Sequence, residues 1–504
     1  MSNALDELKT RLGELQDIRG TQGVLGWDME TNMPPKGAGI RGNQMSTLAR
    51  MSHEMMTDKR VGELLNTLKD DQSLSKTDKA LVREALRDYE KSVKIPVDLV
   101  QEMAKATSEA HHVWINARRD KKFADFVPVL SKIVDLNRRM ADCWGYTDSP
   151  YDALLDEYEP GLTTAQVDPL FAKLKTHIVP LLQAIQNSPQ KPDTAFMSRQ
   201  YPTEDQLAFS RRVLEAMGFD FDRGRLDLSV HPFTSGAGID DVRLTTRVHE
   251  NDVFSALSSS MHEGGHGMYE QGIDHALERT PLGSGTSLGI HESQSRLWEN
   301  QIGRGKLFWQ HFYPQLQGVF KQQLQDVSLS QFYAAINNVK SSFIRVEADE
   351  VTYNLHIMLR YEIEKAVIEG SLAVAEIPQA WNEKVQSYLG ITPPDDGQGC
   401  LQDVHWSHGS FGYFPTYTLG NLYSAQFYAQ AKQEISGLED KIAAGELLPL
   451  RNWLNEKIHF VGRSETADEI VNRVCGGPLD ASHFVDYLTQ KYSEVYALKA
   501  GAVG

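Results

Sequence analysis

The stretch Asn251-Asp252-Val253-Phe254-Ser255-Ala256-Leu257-Ser258-Ser259-Ser260-Met261-His262-Glu263-Gly264-Gly265-His266 reads as one helix with a purpose. Asn251 or Asp252 can cap it, and Val253, Phe254, Leu257 and Met261 supply an apolar stripe. It ends in an H-E-x-x-H pattern. Positions i and i+4 lie one turn apart on the same helix face. Two imidazoles at that spacing, His262 and His266, can hold one Zn²⁺, and Glu263 flanks that face as a general base. Gly264 and Gly265 each cost about 1 kcal/mol relative to alanine in a helix interior. That cost makes sense if something must approach the helix closely, as a metal site beside a substrate cleft would.

Two histidines do not complete a catalytic zinc site, which uses three protein ligands and leaves a position for water. Downstream, His291-Glu292-Ser293-Gln294 lies on a segment that reads as helix from about Thr286 to Asn300. Glu292 is the expected third ligand. His291 and Glu299 are rivals, Glu299 lying two helical turns beyond Glu292. His249, His275 and His356 read as ordinary surface or hydrogen-bonded core histidines.

Helical periodicity extends far beyond this region. Leu5, Leu8, Leu12 and Leu15 mark a first amphipathic helix, and residues 76–94, 97–119, 123–144, 165–187 and 203–217 follow in the same style. Further helical signals cover 345–368, 418–435 and 480–497. The polar stretch from Ser188 to Pro192 reads as a loop within one domain. Residues 225–249 differ: alternation around a glycine-containing centre predicts two short strands with a connection. The expectation is a mainly α protein with one small β element just upstream of the H-E-x-x-H helix, and no fixed-period repeat.

Composition narrows the function classes. The formal net charge is -17, which argues against nucleic acid as the main partner, since phosphate binding needs clustered Lys and Arg. The three cysteines, Cys143, Cys400 and Cys475, are far apart and form no C-x-x-C pair, so free thiols in a reducing compartment are expected. The amphipathic N-terminus lacks the apolar core of a secretory signal, and no apolar run is long enough for a membrane span. These features together predict a cytoplasmic protein without a membrane partner.

Several blocks beyond the metal motif occur in a telling order. They are Gly26-Trp27-Asp28-Met29-Glu30-Thr31-Asn32-Met33-Pro34, His231-Pro232-Phe233, Asp241-Val242-Arg243-Leu244-Thr245, the H-E-x-x-H, and His291-Glu292-Ser293-Gln294. Ile344-Arg345-Val346-Glu347-Ala348-Asp349 and Gly399-Cys400-Leu401-Gln402-Asp403-Val404-His405-Trp406 complete the series. In these blocks, over nearly its full length, the chain resembles the carboxypeptidase Taq family of metallocarboxypeptidases. The resemblance implies a large helical peptidase fold with a deep central groove. It implies one peptidase domain over residues 1–504, with room for two lobes flanking the groove. It implies release of single residues from peptide C-termini with broad side-chain tolerance, a Zn²⁺ that Co²⁺ can replace, and a homodimer.

The resemblance also nominates residues. His405 and Tyr417 match the spacing of the histidine and tyrosine that face the transition state in related helical zinc peptidases. Tyr417 ranks above Tyr413 as oxyanion donor, and Tyr413 has core packing as an equal alternative. Arg345 is the expected clamp for the substrate's terminal carboxylate, with an i,i+4 pair to Asp349 as its alternative. Arg243 is a second substrate-binding candidate, or else braces the strands. Two other readings remain open: an endo-acting oligopeptidase or dipeptidyl carboxypeptidase, and a non-catalytic helical scaffold.

Overall fold

The computed structural model describes residues 2–499 and is mainly helical, with one small sheet. The chain forms two compact units, each assembled from three separated segments. The first takes residues up to Val93, Pro192–Ile336 and Tyr423–Leu479; the second takes Lys94–Lys191, Asn337–Leu422 and the chain from Asp480 onward. The polar stretch 188–192 is thus where the chain passes from the second unit to the first.

In the first unit, the long helix Ser2–Thr31 buries Leu8, Leu12 and Leu15 on one face. Leu8 and Leu12 join Val61, Leu64, Leu65 and Leu68 of helix Lys59–Leu68 and Leu81, Val82 and Ala85 of helix Lys76–Lys94 in one core cluster. The helix Thr203–Met217 spans the residues expected from periodicity. The sheet, however, has three strands where two were expected: β1 (Gly224–Leu228), β2 (Thr234–Gly238) and β3 (Asp241–Thr246). Their order is β1-β3-β2, with β1 parallel and β2 antiparallel to β3. The glycine-containing centre that reads as a connection is itself β2. Glycine weakens a strand's sequence signal, but here it serves an irregular register between Gly236 and Gly238, where a Cβ on Gly236 would lie 2.4 Å from the Asp241 carbonyl oxygen. The buried side of β3, with Val242 and Leu244, packs on helix Ser255–Gly272.

In the second unit, helices Val97–Asp120, Phe123–Trp144 and Thr164–Asn187 lie within a residue or so of their expected bounds. Helix Thr352–Glu369 is almost wholly buried. Its apolar members pack all round it, and His356, Arg360 and Glu364 form an internal polar stripe at i, i+4 and i+8. The expected helix over 345–368 starts late. Residues Arg345–Glu347 form only a short 3-10 turn. Asp349 accepts hydrogen bonds from the backbone N–H groups of Lys340, Val351 and Thr352 and from the Thr352 hydroxyl, so it ends the preceding loop and starts the helix after itself. The Lys491 ammonium on helix Ser482–Tyr496 reaches the buried Glu350 carboxylate at 2.8 Å, which fixes that helix within the unit.

Candidate metal centre

The helix carrying the motif runs Ser255–Gly272. Asp252 receives the N–H groups of Phe254 and Ser255 at its start, and Phe254, Leu257 and Met261 are buried. The imidazoles of His262 and His266 stand with ring centroids 4.9 Å apart. Facing them is the helix Leu288–Arg296, started by the Ser287 hydroxyl, which accepts from the Ile290 N–H. It continues as a wider π turn over Leu297–Ile302, so the single helix expected from Thr286 to Asn300 changes winding halfway.

The two glycines explain how close these helices come. A Cβ on Gly265 would sit 2.5 Å from the Gln294 carbonyl oxygen and 2.6 Å from Ser295 Cα, and one on Gly264 would sit 2.3 Å from a Leu214 methyl. The close neighbour is therefore helix backbone and core side chain, not a substrate cleft. This approach carries Glu292 over the histidine pair. Glu292 Oε2 lies 3.7 Å from His262 Nε2 and 3.4 Å from His266 Nε2. Among the described residues, His262, His266 and Glu292 form the group whose ligand atoms all fall within 4.8 Å of one another.

The donor set fits a divalent ion. Tetrahedral bonds of about 2.0–2.1 Å place ligand atoms about 3.3 Å apart, close to the observed separations. The second nitrogen of each ring is already engaged. His262 Nδ1 pairs with Glu299 Oε2 at 2.9 Å. His266 Nδ1 pairs with His291 Nδ1 at 2.6 Å, and His291 Nε2 pairs with Glu270 Oε1 at 2.7 Å. Proton placement follows from these partners. Glu270 accepts from His291 Nε2–H, so His291 Nδ1 accepts from His266 Nδ1–H. His266 Nε2 is left with a lone pair, whereas at His262 burial is outweighed by the Glu292 and Glu299 carboxylates, which raise the imidazole to about 9, so a metal would displace a proton from its Nε2. His291 and Glu299, the rival ligands of the sequence reading, thus sit behind the histidines. Glu270 was missed, although its signal was present: it follows His262 and His266 at i+8 and i+4 on the same face. His291→Ala or Glu270→Gln is expected to weaken metal binding about 10–100-fold. Competition against a calibrated chelator measures this, and unchanged affinity would remove the relay from the site's design.

Burial would raise the Glu292 carboxyl, but Arg296 and the two histidines more than offset it and hold it well below the usual carboxylate range. Arg296 Nε donates to Glu292 Oε1 at 2.6 Å, and its Nη1 donates to Glu299 Oε2 at 3.1 Å. Against the same burial, Arg296 and His262 bring Glu299 down to about 2. Glu263 behaves in the opposite way: burial pushes its carboxyl up, and a hydrogen bond from the Thr234 hydroxyl at 2.7 Å only partly counters it. Thr234, from β2, is a residue the sequence reading did not single out.

Of the other expected site residues, Arg345, His405, Tyr413 and Tyr417 gather in a second cluster, within the second unit. Arg345 is buried, with Nε and Nη2 donating to Asp403 Oδ1 at 2.9 and 2.8 Å and Nη1 donating to the Tyr353 hydroxyl at 3.1 Å. The anticipated Arg345–Asp349 pair is not formed, because Asp349 is taken by backbone N–H groups. The Arg345 guanidinium lies 5.2 Å from the Tyr417 ring centroid. Tyr417 packs on Tyr413 at 5.3 Å, and His405 packs on Tyr413 and Phe414 at 5.3 and 4.5 Å. Burial lowers His405 to about 4, so its imidazole is neutral at pH 7. Arg243, on β3 of the first unit, spends its fork on Asp241 at 2.7 and 2.9 Å and its face on Trp27, 4.4 Å from the ring centroid.

Known proteins match this chain closely. The family profile described as carboxypeptidase Taq (M32) metallopeptidase fits residues 7–492. Carboxypeptidase 1 of Bacillus subtilis (strain 168) is 42% identical over 476 residues, 94% of this chain and 95% of that protein. Thermostable carboxypeptidase 1 of Thermus thermophilus is 43% identical over 482 residues, 93% of this chain and 94% of that protein. The crystal structure of the M32 carboxypeptidase from Deinococcus radiodurans R1 superposes with a TM-score of 0.96 at 40% identity, covering 98% of this chain and all of that one. Similarity of this depth over nearly the whole length means that the chain belongs to the carboxypeptidase Taq (M32) family and is a metallocarboxypeptidase.

Proposed function

We propose that the protein removes single residues from the free C-termini of peptides, with broad side-chain tolerance, using Zn²⁺ or Co²⁺ held by His262, His266 and Glu292. The observation that carries this reading is the convergence of two imidazoles and one carboxylate on closely packed helices, their ligand atoms within 4.8 Å of one another, with Glu263 beside them. A divalent ion held by these three residues would supply Lewis-acid chemistry for the scissile carbonyl and the attacking water. Glu263, oriented by Thr234, takes the proton from the attacking water and passes it to the leaving amine. The Tyr417 hydroxyl donates to the developing oxyanion, with Tyr413 packed against it and neutral His405 as a further donor. Arg345 has five N–H donors, of which Asp403 and Tyr353 take three; two remain for the substrate carboxylate. Arg243 has its fork and face occupied, which favours bracing the sheet over binding substrate.

The whole chain acting as one peptidase domain is part of the proposal, as are a homodimer and a cytoplasmic setting. The free cysteines suit a reducing compartment, and among the described residues no helix is long and apolar enough to cross a membrane. Sedimentation at two protein concentrations tests the dimer.

Mass spectrometry of a synthetic peptide tests the cut. A ladder of single-residue losses from the C-terminus is expected, abolished by a chelator and by amidating the terminus. Internal fragments would indicate an endo-acting oligopeptidase, and losses in pairs would indicate a dipeptidyl carboxypeptidase.

A further inference from the structure

Gln402 and Asp403 are the two consecutive residues of the second cluster that the mechanism leaves without a task. Gln402 Oε1 accepts from the Arg345 backbone N–H at 2.8 Å, and its Nε2 is tied to the Phe343, Gln398 and Gly399 carbonyls. It holds the Arg345 main chain. Asp403 holds the side chain, but in an unusual way. Its Oδ1 alone receives both Nε and Nη2 of Arg345, while Oδ2 accepts from Arg360 Nε at 2.7 Å and pairs ionically with Arg360 Nη2 at 2.6 Å. Arg360 is fully buried in helix Thr352–Glu369, with Nη1 on the His356 carbonyl at 2.6 Å and its guanidinium 4.6 Å from the Trp381 ring centroid. Arg360 cannot itself touch a peptide.

The sharing matters because an aspartate with one arginine partner prefers a fork-to-fork pair, one oxygen on each N–H. Such a pair leaves a guanidinium well satisfied and a poor anion receptor. With Oδ2 fixed on Arg360, Asp403 offers Arg345 a single oxygen. Two guanidinium ions then share one carboxylate. Glu364, one turn along from Arg360, is turned to the Tyr151 hydroxyl, the Trp406 indole and the Gly412 N–H instead.

We propose that Asp403, anchored by Arg360, is a positioning residue that fixes the Arg345 guanidinium while leaving its remaining N–H donors and an uncompensated positive charge for the terminal carboxylate of the substrate. This rests on the reading of Arg345 as the carboxylate clamp. It makes specificity for a free C-terminus a property of the Arg360–Asp403–Arg345 chain, not of one arginine.

The test is steady-state kinetics of the metal-loaded, full-chain enzyme on an N-blocked dipeptide, with N-acetyl-phenylalanine as a free-carboxylate competitor. Asp403→Asn should raise KM and the inhibition constant about 10-fold or more and leave kcat within about 3-fold, the signature of lost carboxylate binding. In an Arg345→Met background the same change should do nothing further. If Arg345→Met raises KM but Asp403→Asn does not, or lowers only kcat, the positioning role is overturned and the clamp stands. If Arg345→Met leaves KM unchanged, the clamp and this inference both fall. Should Asp403→Asn not fold, Asp403→Glu keeps the charge but moves the oxygens by a methylene; it should raise KM as well, and an unaltered KM would overturn the proposal.

Discussion

Glu263→Gln is expected to lower kcat by about 10³-fold or more, at the upper end of what general acid–base catalysis contributes, while metal content stays at the wild-type level. Glutamine has the size of the native side chain, and its amide oxygen can still accept from the Thr234 hydroxyl, so the helix and its two imidazoles need not move. Only the proton acceptor is lost. Metal analysis beside single-turnover kinetics separates the outcomes. Undiminished turnover would remove Glu263 from the reaction, and loss of metal with activity would make its role structural.

Glu292→Ala acts on the other half of the centre. It deletes the oxygen ligand and leaves two imidazoles on one helix, so metal affinity should fall by about 10³-fold or more. Arg296 loses its 2.6 Å partner but keeps Glu299, which limits the damage to the fold. A ligand present at about 1,000 times its Kd stabilises the folded state by about 4 kcal/mol. The wild-type melting temperature should therefore rise with added Zn²⁺, and that of Glu292→Ala should not. A mutant that stays metallated and active would mean that another residue completes the site.

The parts of this protein legible in its sequence are those whose determinants are close together. Capping residue, apolar stripe and paired histidines occupy one short stretch, so the Ser255–Gly272 helix and its chemistry could be read directly. Glu292 could be nominated because a histidine pair demands a third ligand. What the sequence concealed depends on contacts made at a distance. β2 was hidden by its glycines, whose value is the close backbone approach to β3. The helix expected from Arg345 fails because Asp349 finds better partners in backbone N–H groups than in a neighbouring arginine. The partner that Arg345 does take, Asp403, lies 58 residues along the chain, a separation at which charge patterning says nothing. Thr234 reaches Glu263 only through the packing of the sheet. The resemblance named the blocks carrying Arg345, Asp349 and Asp403, but not Thr234 or the glycines of β2, and not which atom would meet which.

The interleaving of the two units bears on how the protein is made. Neither unit is a contiguous stretch of chain: the first lacks a third of its segments until Leu479 has been synthesised, and the second waits for the helix Ser482–Tyr496. During translation the metal ligands emerge well before the segments that enclose their unit, and long-range contacts of this kind close slowly. No single cut in the gene can liberate either unit as a self-sufficient fragment. A truncation a few dozen residues short of Tyr496 should yield a chain that exposes the cavity left by Lys491 and Tyr492 around Glu350 and is digested faster by proteases.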